Sequence, residues 1–590
     1  MPIALRRILF PRFVRRPIRR LARSPLGRLV GHFLARVVSS SAGQDSEFEF
    51  GAGALLGLLA APGAFNCFLL LDKYSSFLNW LRGRRHLDVL VTSIPDKYLF
   101  LSLAMAVTGI VTVLKWDRIL PDSQDYINLA PLPIRPRRIL MANVTAILIA
   151  VVTVALDVNL LPSVLFPLFV TASEHASFGY FLQFAATQAA SVLLASFFSI
   201  CGVFALLGTL AAVLPREAFR ACSSWVRALT LLALLALLPT GFAGAGLVRT
   251  LEQNPDSPLQ YLPTLWYLGL YQSLQHRATP VLAAMERRGL MAAGVVFVLM
   301  AISYAFSYRR RFAGVLEGGR KPAEQRLFAA LLAVLDVFSC RARGFPRACH
   351  RFIVRAMLRS EPHRLAIAVA GGLGWLLACQ DILSAPPPEF WDGPPALELL
   401  QAPLAAAYLL ILGLRLAFEI PAGVSSNWIF RAILDPRENQ TLPVARLVIL
   451  SFLAPAVLLP GSILAWDQSG FPMAAIETLY VLALSVSLIE VQLAGYRKVP
   501  LTCPMPGFRD HLPMLCFIQF LGYELFTRGG AAMELWMLRQ PAAFLLVPAA
   551  MAGAWYWNRR RIEDAREAGE LEEGVTFENA PVRAVTRLDL

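Results

Sequence analysis

Apolar runs of about twenty residues recur along nearly the whole chain, and this repetition limits what it can fold into. A hydrocarbon layer about 30 Å thick takes roughly 20 apolar residues of helix. Such runs fall at about 51–72, 98–114, 139–160, 180–213, 225–248, 289–308, 365–380, 400–420, 446–466, 473–492, 512–527 and 534–557. Lipid leaves no free backbone group satisfied, and no ten-residue alternating strand pattern is present, so the runs read as helices. The 180–213 run is too long for one simple crossing and predicts a tilt, a bend near Gly202 or an extension beyond the bilayer. With 56% hydrophobic and 16% charged residues, the composition excludes an ordinary soluble domain. The expected fold is an all-α polytopic membrane protein of about twelve transmembrane helices.

Charge placement sets the expected orientation. The first 49 residues hold ten arginines and no acidic residue before Asp45. They lack the apolar core and small-residue cleavage site of a secretory signal, and read as a basic segment against anionic headgroups. With both termini in the cytoplasm, the internal segments carry 42 Lys and Arg and the external ones 11, with Arg227 and Arg415 inside spans. The loop 73–97, with Lys73, Arg82, Arg84, Arg85 and Lys97, runs against this trend. The net charge of +15 then reflects loops beside a cytoplasmic membrane surface, not nucleic-acid binding. The expected location is the plasma (inner) membrane.

The organisation follows as a basic N-terminal segment (1–49), a first six-span half (50–308), a basic connector (309–363), a second half (364–557) and a tail (558–590). Two halves of the same orientation form a parallel repeat. "WDRILPDSQDYINLAPLPIRPRRILMAN" after the second span is echoed by "NWIFRAILDPRENQTLPVARLVILSF" after the eighth. Each has an aromatic-led amphipathic piece, a step joining Asp and Pro, a Leu-Pro pair and an arginine before the next span. In the first, Trp116, Ile119 and Leu120 share a helical face while Asp117, Arg118, Asp122 and Asp125 face water or a partner. Pro131, Pro133 and Pro136 break the helix into an elbow. An ordinary anchored loop accounts for the same composition. The echoing residues of the second segment are Trp428, Asp435, Arg437 and Pro443.

Residues Pro121, Asp122, Asp125, Tyr126, Leu132, Pro133, Ile134 and Arg135 resemble the first cytoplasmic loop of type-2 ABC exporter permeases. The likeness is best over 97–145 and faint in the second half. It implies an export path in this chain, driven by a separate ABC ATPase subunit, as a dimer, that pushes on the loop as a coupling helix. The chain itself has no G-x-x-x-x-G-K-[ST] loop, so ATP would be held by that partner and no cofactor by this chain. H-E-x-x-H and G-x-S-x-G are absent too, and no enzymatic activity is expected. The alternatives are a twelve-span secondary transporter of the major-facilitator kind and a non-transporting scaffold. Against the former stands the lack of expected buried ionisable residues in the first six spans.

Three further features stand out. Tyr261, Trp266, Tyr267 and Tyr271 form an aromatic patch in the expected external stretch, read as an interfacial belt or, from the resemblance, a cap on the export path. Arg415 and Glu419 are spaced to pair on one helix face, with Glu490 as an alternative partner for Arg415. The loop 495–511, with Cys503 and His511, is read as a rigid connector, and 562–574 as a solvated acidic tail. The eight cysteines show no C-x-x-C pair and are read as small packing residues, with no metal site.

Overall fold

The computed structural model describes residues 24–38, scattered positions between 60 and 74, and 93–115, 136–173, 177–242, 244–314, 332–337, 344–386, 395–420, 441–494, 496, 498–501 and 512–567. Every regular element among these is helical. Nine of the described helices are long and apolar enough to cross a membrane. The chain is an all-helical, multi-pass membrane protein. By contacts it separates into two compact units, Met1–Ser223 with Ala233–Lys321, and Ser224–Leu232 with Pro322–Leu590.

In the first unit the described helices are α1 (Pro25–Val38), α2 (Ile94–Leu114), α3 (Pro136–Ser173), α4 (Phe178–Val213), α5 (Arg216–Phe242, apart from its Ser224–Leu232 stretch), α6 (Gly244–Gln253), α7 (Pro263–Leu274) and α8 (Pro280–Gly314). The core joins α2, α3, α4 and α7 through Phe100, Phe166, Phe184, Tyr267 and Tyr271. The amphipathic α1 seats Phe33 on Ile139, Ala142 and Ala146 of α3. Helix α4 runs unbroken through Gly202, and its 36 residues extend about 54 Å at 1.5 Å per residue, well past the hydrocarbon thickness. The run expected at 139–160 extends further as helix, because α3 continues to Ser173 with Pro162 and Pro167 inside it. Thr171 Oγ1 bonds the carbonyl of Pro167 at 2.8 Å. The carbonyl of Val158, four residues before Pro162, lies 3.2 Å from where a Cβ on Gly63 would sit.

The second unit contains α9 (Phe345–Arg359), α10 (Glu361–Ser384), α11 (Leu397–Ala417), α12 (Thr441–Leu453), α13 (Leu459–Ser469), α14 (Phe471–Gln492), α15 (Leu512–Glu524), α16 (Gly530–Arg539) and α17 (Leu546–Glu567). A π-helical turn at Ala454–Leu458 joins α12 to α13, and another at Leu525–Gly529 joins α15 to α16. Two of the expected spans here are not single uninterrupted α-helices. Gln540 and the 3-10 turn Pro541–Leu545 end α16 and begin α17, so 534–557 is not one helix. The stretch 512–527 ends in the π turn. Of the expected span 51–72 only scattered residues are described. Between α13 and α14 the chain reverses on Gly470 alone, at φ +82°, a conformation that glycine adopts without a Cβ penalty.

Small residues hold α10 against α11. A Cβ on Gly413 would lie 2.1 Å from Ala370 Cβ, and one on Gly374 would lie 2.9 Å from Ala406 Cα. Ala366, Ala370 and Gly374 recur every four residues, the spacing that lets membrane helices approach closely and gain dispersion contacts. Among the described cysteines, Cys67, Cys201 and Cys349 are buried as packing residues, whereas Cys222 and Cys379 are exposed.

Helix α9 is amphipathic, burying Cys349, His350, Ile353, Val354, Met357 and Leu358. His350 Nε2 lies 3.3 Å from Ser451 Oγ, whose own hydroxyl donates to Val448 O, so the imidazole is the donor. Burial holds His350 below the ordinary imidazole range, with Asp336 opposing and Arg351 assisting. The unfolded chain therefore takes up the proton first. His350's contribution to stability is complete above about pH 6.5 and is lost as pH falls toward the lower folded value.

Two measurements check this packing. Gly413→Val should lower stability by about 1–3 kcal/mol in reversible detergent unfolding, while Gly294→Ala, whose Cβ meets nothing within 4 Å, should not lower it. Thermal midpoints taken on either side of about pH 6.5 should fall in acid for the wild type, and the fall should be smaller for His350→Leu.

Candidate functional site

In the second unit, paired polar groups gather at the described residues on either side of 421–440. At the departure, α11 ends with Arg415 in its last turn, a favourable place for a cation beside free carbonyls. Its guanidinium bonds Glu419, one turn on, and its Nε donates to Gln492 O at 3.3 Å. It also lies 4.7 Å from the centroid of the Tyr496 ring. Tyr496 meets Phe418 with ring centroids 6.2 Å apart. The Leu501 amide, at φ +70°, donates to Phe418 O at 3.1 Å.

The last described residue before the segment is held as well. His363 is fully buried, and its Nε2 donates to Ile420 O at 3.0 Å. That fixes the tautomer, leaving Nδ1 to accept from Ser360 Oγ at 2.7 Å. At the return, Thr441 opens α12, and Arg446 one turn later pairs with Glu490 of α14 at 2.5 Å. Glu419 and Glu490 are nearly buried, so each carboxylate depends on its arginine. Gln492 and Gln519 then join amide to amide at 3.0 Å, and Tyr408 donates to Gln519 Oε1 at 2.8 Å. The frame is a chain of charged and polar contacts that fixes both ends of one segment.

Arg415 and Glu419 come together as their spacing indicates. Glu490, expected as an alternative partner for Arg415, is instead taken by Arg446, because α12 and not α11 brings a guanidinium to it. Trp116, Asp117, Arg118, Asp122, Asp125, Tyr126, Pro133 and Arg135 lie outside the described residues, as do Trp428, Asp435 and Arg437. Pro443 is exposed in the first turn of α12. Cys503 and His511 also lie outside them.

The aromatic group separates. Tyr261 is 72% exposed and Trp266 half-buried, its Nε1 donating to Gln260 O at 2.7 Å. Tyr267 and Tyr271 are fully buried core residues, so they form no surface belt. Tyr271 instead faces a buried lysine. Lys97 Nζ lies 4.9 Å from the Tyr271 ring centroid and 5.3 Å from that of Phe184, and donates to Gln275 Oε1 at 2.7 Å. Beside it, Asp96 binds Lys73 at 2.6 Å and accepts from Tyr74. Lys97, read from sequence as a loop residue, is 1% exposed inside α2. The first unit thus holds buried ionisable residues that the hydropathy pattern did not indicate. "PDKY" at the mouth of an apolar run was the available signal, since charges there either snorkel outward or find partners inward.

Among the described residues, no group of three or more His, Cys, Asp or Glu is placed to hold a metal ion. The frame consists of paired charges and hydrogen bonds between helices. Removing one partner should therefore cost more than removing both. Glu490→Gln should destabilise by less than the ~3–5 kcal/mol of a fully buried pair, because Arg446 is partly exposed. Combining it with Arg446→Gln should recover part of the loss in a double-mutant unfolding cycle. No family model matches the chain, and no curated protein or solved structure is detectably similar to it.

Proposed function

We propose that the chain is a transport permease of the type-2 ABC exporter class. It has two six-span halves that form a path through the plasma membrane, both termini in the cytoplasm and a separate ATPase dimer supplying the energy. The observation that carries this reading is the frame around 421–440. A segment that transmits force needs ends that do not yield, and here Arg415–Glu419, His363–Ile420 and Arg446–Glu490 brace both ends. The sequence of 116–138 supplies the second support, through its likeness to the coupling loop of that class. ATP-driven closure of the ATPase would push on 116–138 and 427–446 and rock the helices that these segments join. The chain contributes no nucleotide chemistry to the cycle.

A secondary transporter driven by an ion gradient is the second reading. It is favoured by the buried Asp96 and Lys97 of the first unit and Glu477 and Glu534 of the second, since membrane-buried ionisable groups commonly mark ion or substrate paths.

Affinity purification in mild detergent should recover a nucleotide-binding subunit with this chain. Asp122→Ala with Asp125→Ala should leave membrane insertion normal while abolishing stimulation of that subunit's ATPase rate by the permease. Transport in proteoliposomes from a gradient alone, without any ATPase, would select the second reading.

A further inference from the structure

The second unit contains two carboxyl groups whose surroundings differ from those of every ion pair above. Glu534 on α16 is fully buried, and neither of its oxygens has a hydrogen-bond partner. Glu477 on α14 is 7% exposed and acts on Glu534 electrostatically. Their approach is set by the backbone. Tyr480, one turn from Glu477, donates its hydroxyl to Gly530 O at 2.8 Å. Glu534 lies four residues after Gly530, so it falls on the face of α16 that this bond fixes to α14. Leu400 and Leu404 of α11, Val481 of α14 and Ala531 of α16 form an apolar cluster.

The other charged groups on the elements packed against α16 are committed elsewhere or stand at helix ends. On α11, Arg415 is bound to Glu419, Tyr408 donates to Gln519, and Glu398 lies in the first turn. Glu490 of α14 is bound to Arg446, Arg528 of the π turn to Glu524 at 3.2 Å, and Arg539 lies in the last turn of α16 itself. An isolated carboxylate enclosed in apolar surroundings is untenable, and two adjacent ones more so. A carboxylic acid is tolerated there. The ligand that suits a fully buried, unpartnered carboxyl beside a second, nearly buried one is a proton.

We propose that Glu477 and Glu534 form a proton-binding site within the second unit, with Glu534 held as the neutral acid. Uptake is a simple protonation: a carboxylate oxygen forms an O–H bond to a proton from hydronium, whose own O–H bond breaks and leaves water. The site stands on the packing of α14 and α16 and rests on neither functional reading above.

Infrared spectroscopy of the full chain in lipid nanodiscs tests it, because the C=O stretch of a protonated carboxyl is separate from the carboxylate bands. The wild type should show the acid band at about pH 7, far above the ~4.3 of a solvated glutamate. Glu534→Gln and Glu477→Gln should each weaken it, with helicity by circular dichroism unchanged. Replacing sodium by choline should leave it unaltered. A band equal in wild type and both variants overturns the proposal. So does a band absent at that pH, or one abolished by sodium, which would make the ligand a metal cation. If Glu534→Gln loses helicity, Glu477→Gln decides, because the pair loses its second carboxyl in either variant.

Discussion

The absence of water from the hydrocarbon layer governs this molecule at every level. Backbone groups can be satisfied there only within helices, and side chains that carry charge must find a partner or give the charge up. The apolar driving force that packs soluble cores is weak between helices already in lipid, so close approach has to come from small residues. Gly413 against Ala370 and Gly374 against Ala406 meet that requirement, leaving no space for a Cβ at either glycine. The α10–α11 contact in turn sets where α11 ends, and therefore where Arg415, Glu419 and Ile420 stand.

From that point the polar contacts follow in order. Arg415 takes Glu419 and the Gln492 carbonyl, and His363 takes the Ile420 carbonyl. Arg446 takes Glu490 across forty-four residues of sequence. None of these pairs is a strong source of stability by itself, since desolvating both partners offsets much of their attraction. Their effect is conformational: an arrangement in which breaking one contact strands a charge resists small displacements. Ile420 and Thr441, the described residues on either side of 421–440, are thereby held to the helices around them.

The sequence made some of this legible and concealed the rest for physical reasons. Hydropathy marks helices because the hydrocarbon thickness sets their length, and the runs at 446–466 and 473–492 fall within the described helices. Arg415 with Glu419 was readable because an i, i+4 spacing is local. Arg446 with Glu490 was not, because only tertiary packing brings α12 to α14. The run at 139–160 was read as ending before Pro162, yet α3 continues to Ser173 through Pro162 and Pro167. Lys97 shows the opposite error. Its charge argues for water, but two aromatic rings and Gln275 replace the water from inside. The aromatic stretch at 261–271 divides for a similar reason: one helix face turns Tyr267 and Tyr271 into the core while Tyr261 precedes that helix and stays exposed.

The buried ionisable groups therefore fall into two kinds, and the distinction bears on mechanism. Asp96, Glu419 and Glu490 each have a cation and keep their charge by pairing. Glu534 has another carboxyl for a neighbour and no hydrogen-bond partner, so pairing cannot explain it. A paired ion can be deleted with its partner at modest cost, because the two charges mainly cancel each other's desolvation. A lone acid serves no such structural purpose, and an apolar residue of similar volume would pack at least as well in the cluster of Leu400, Leu404, Val481 and Ala531. The proton-binding site proposed above accounts for it, because a neutral acid carries no charge that a partner must balance.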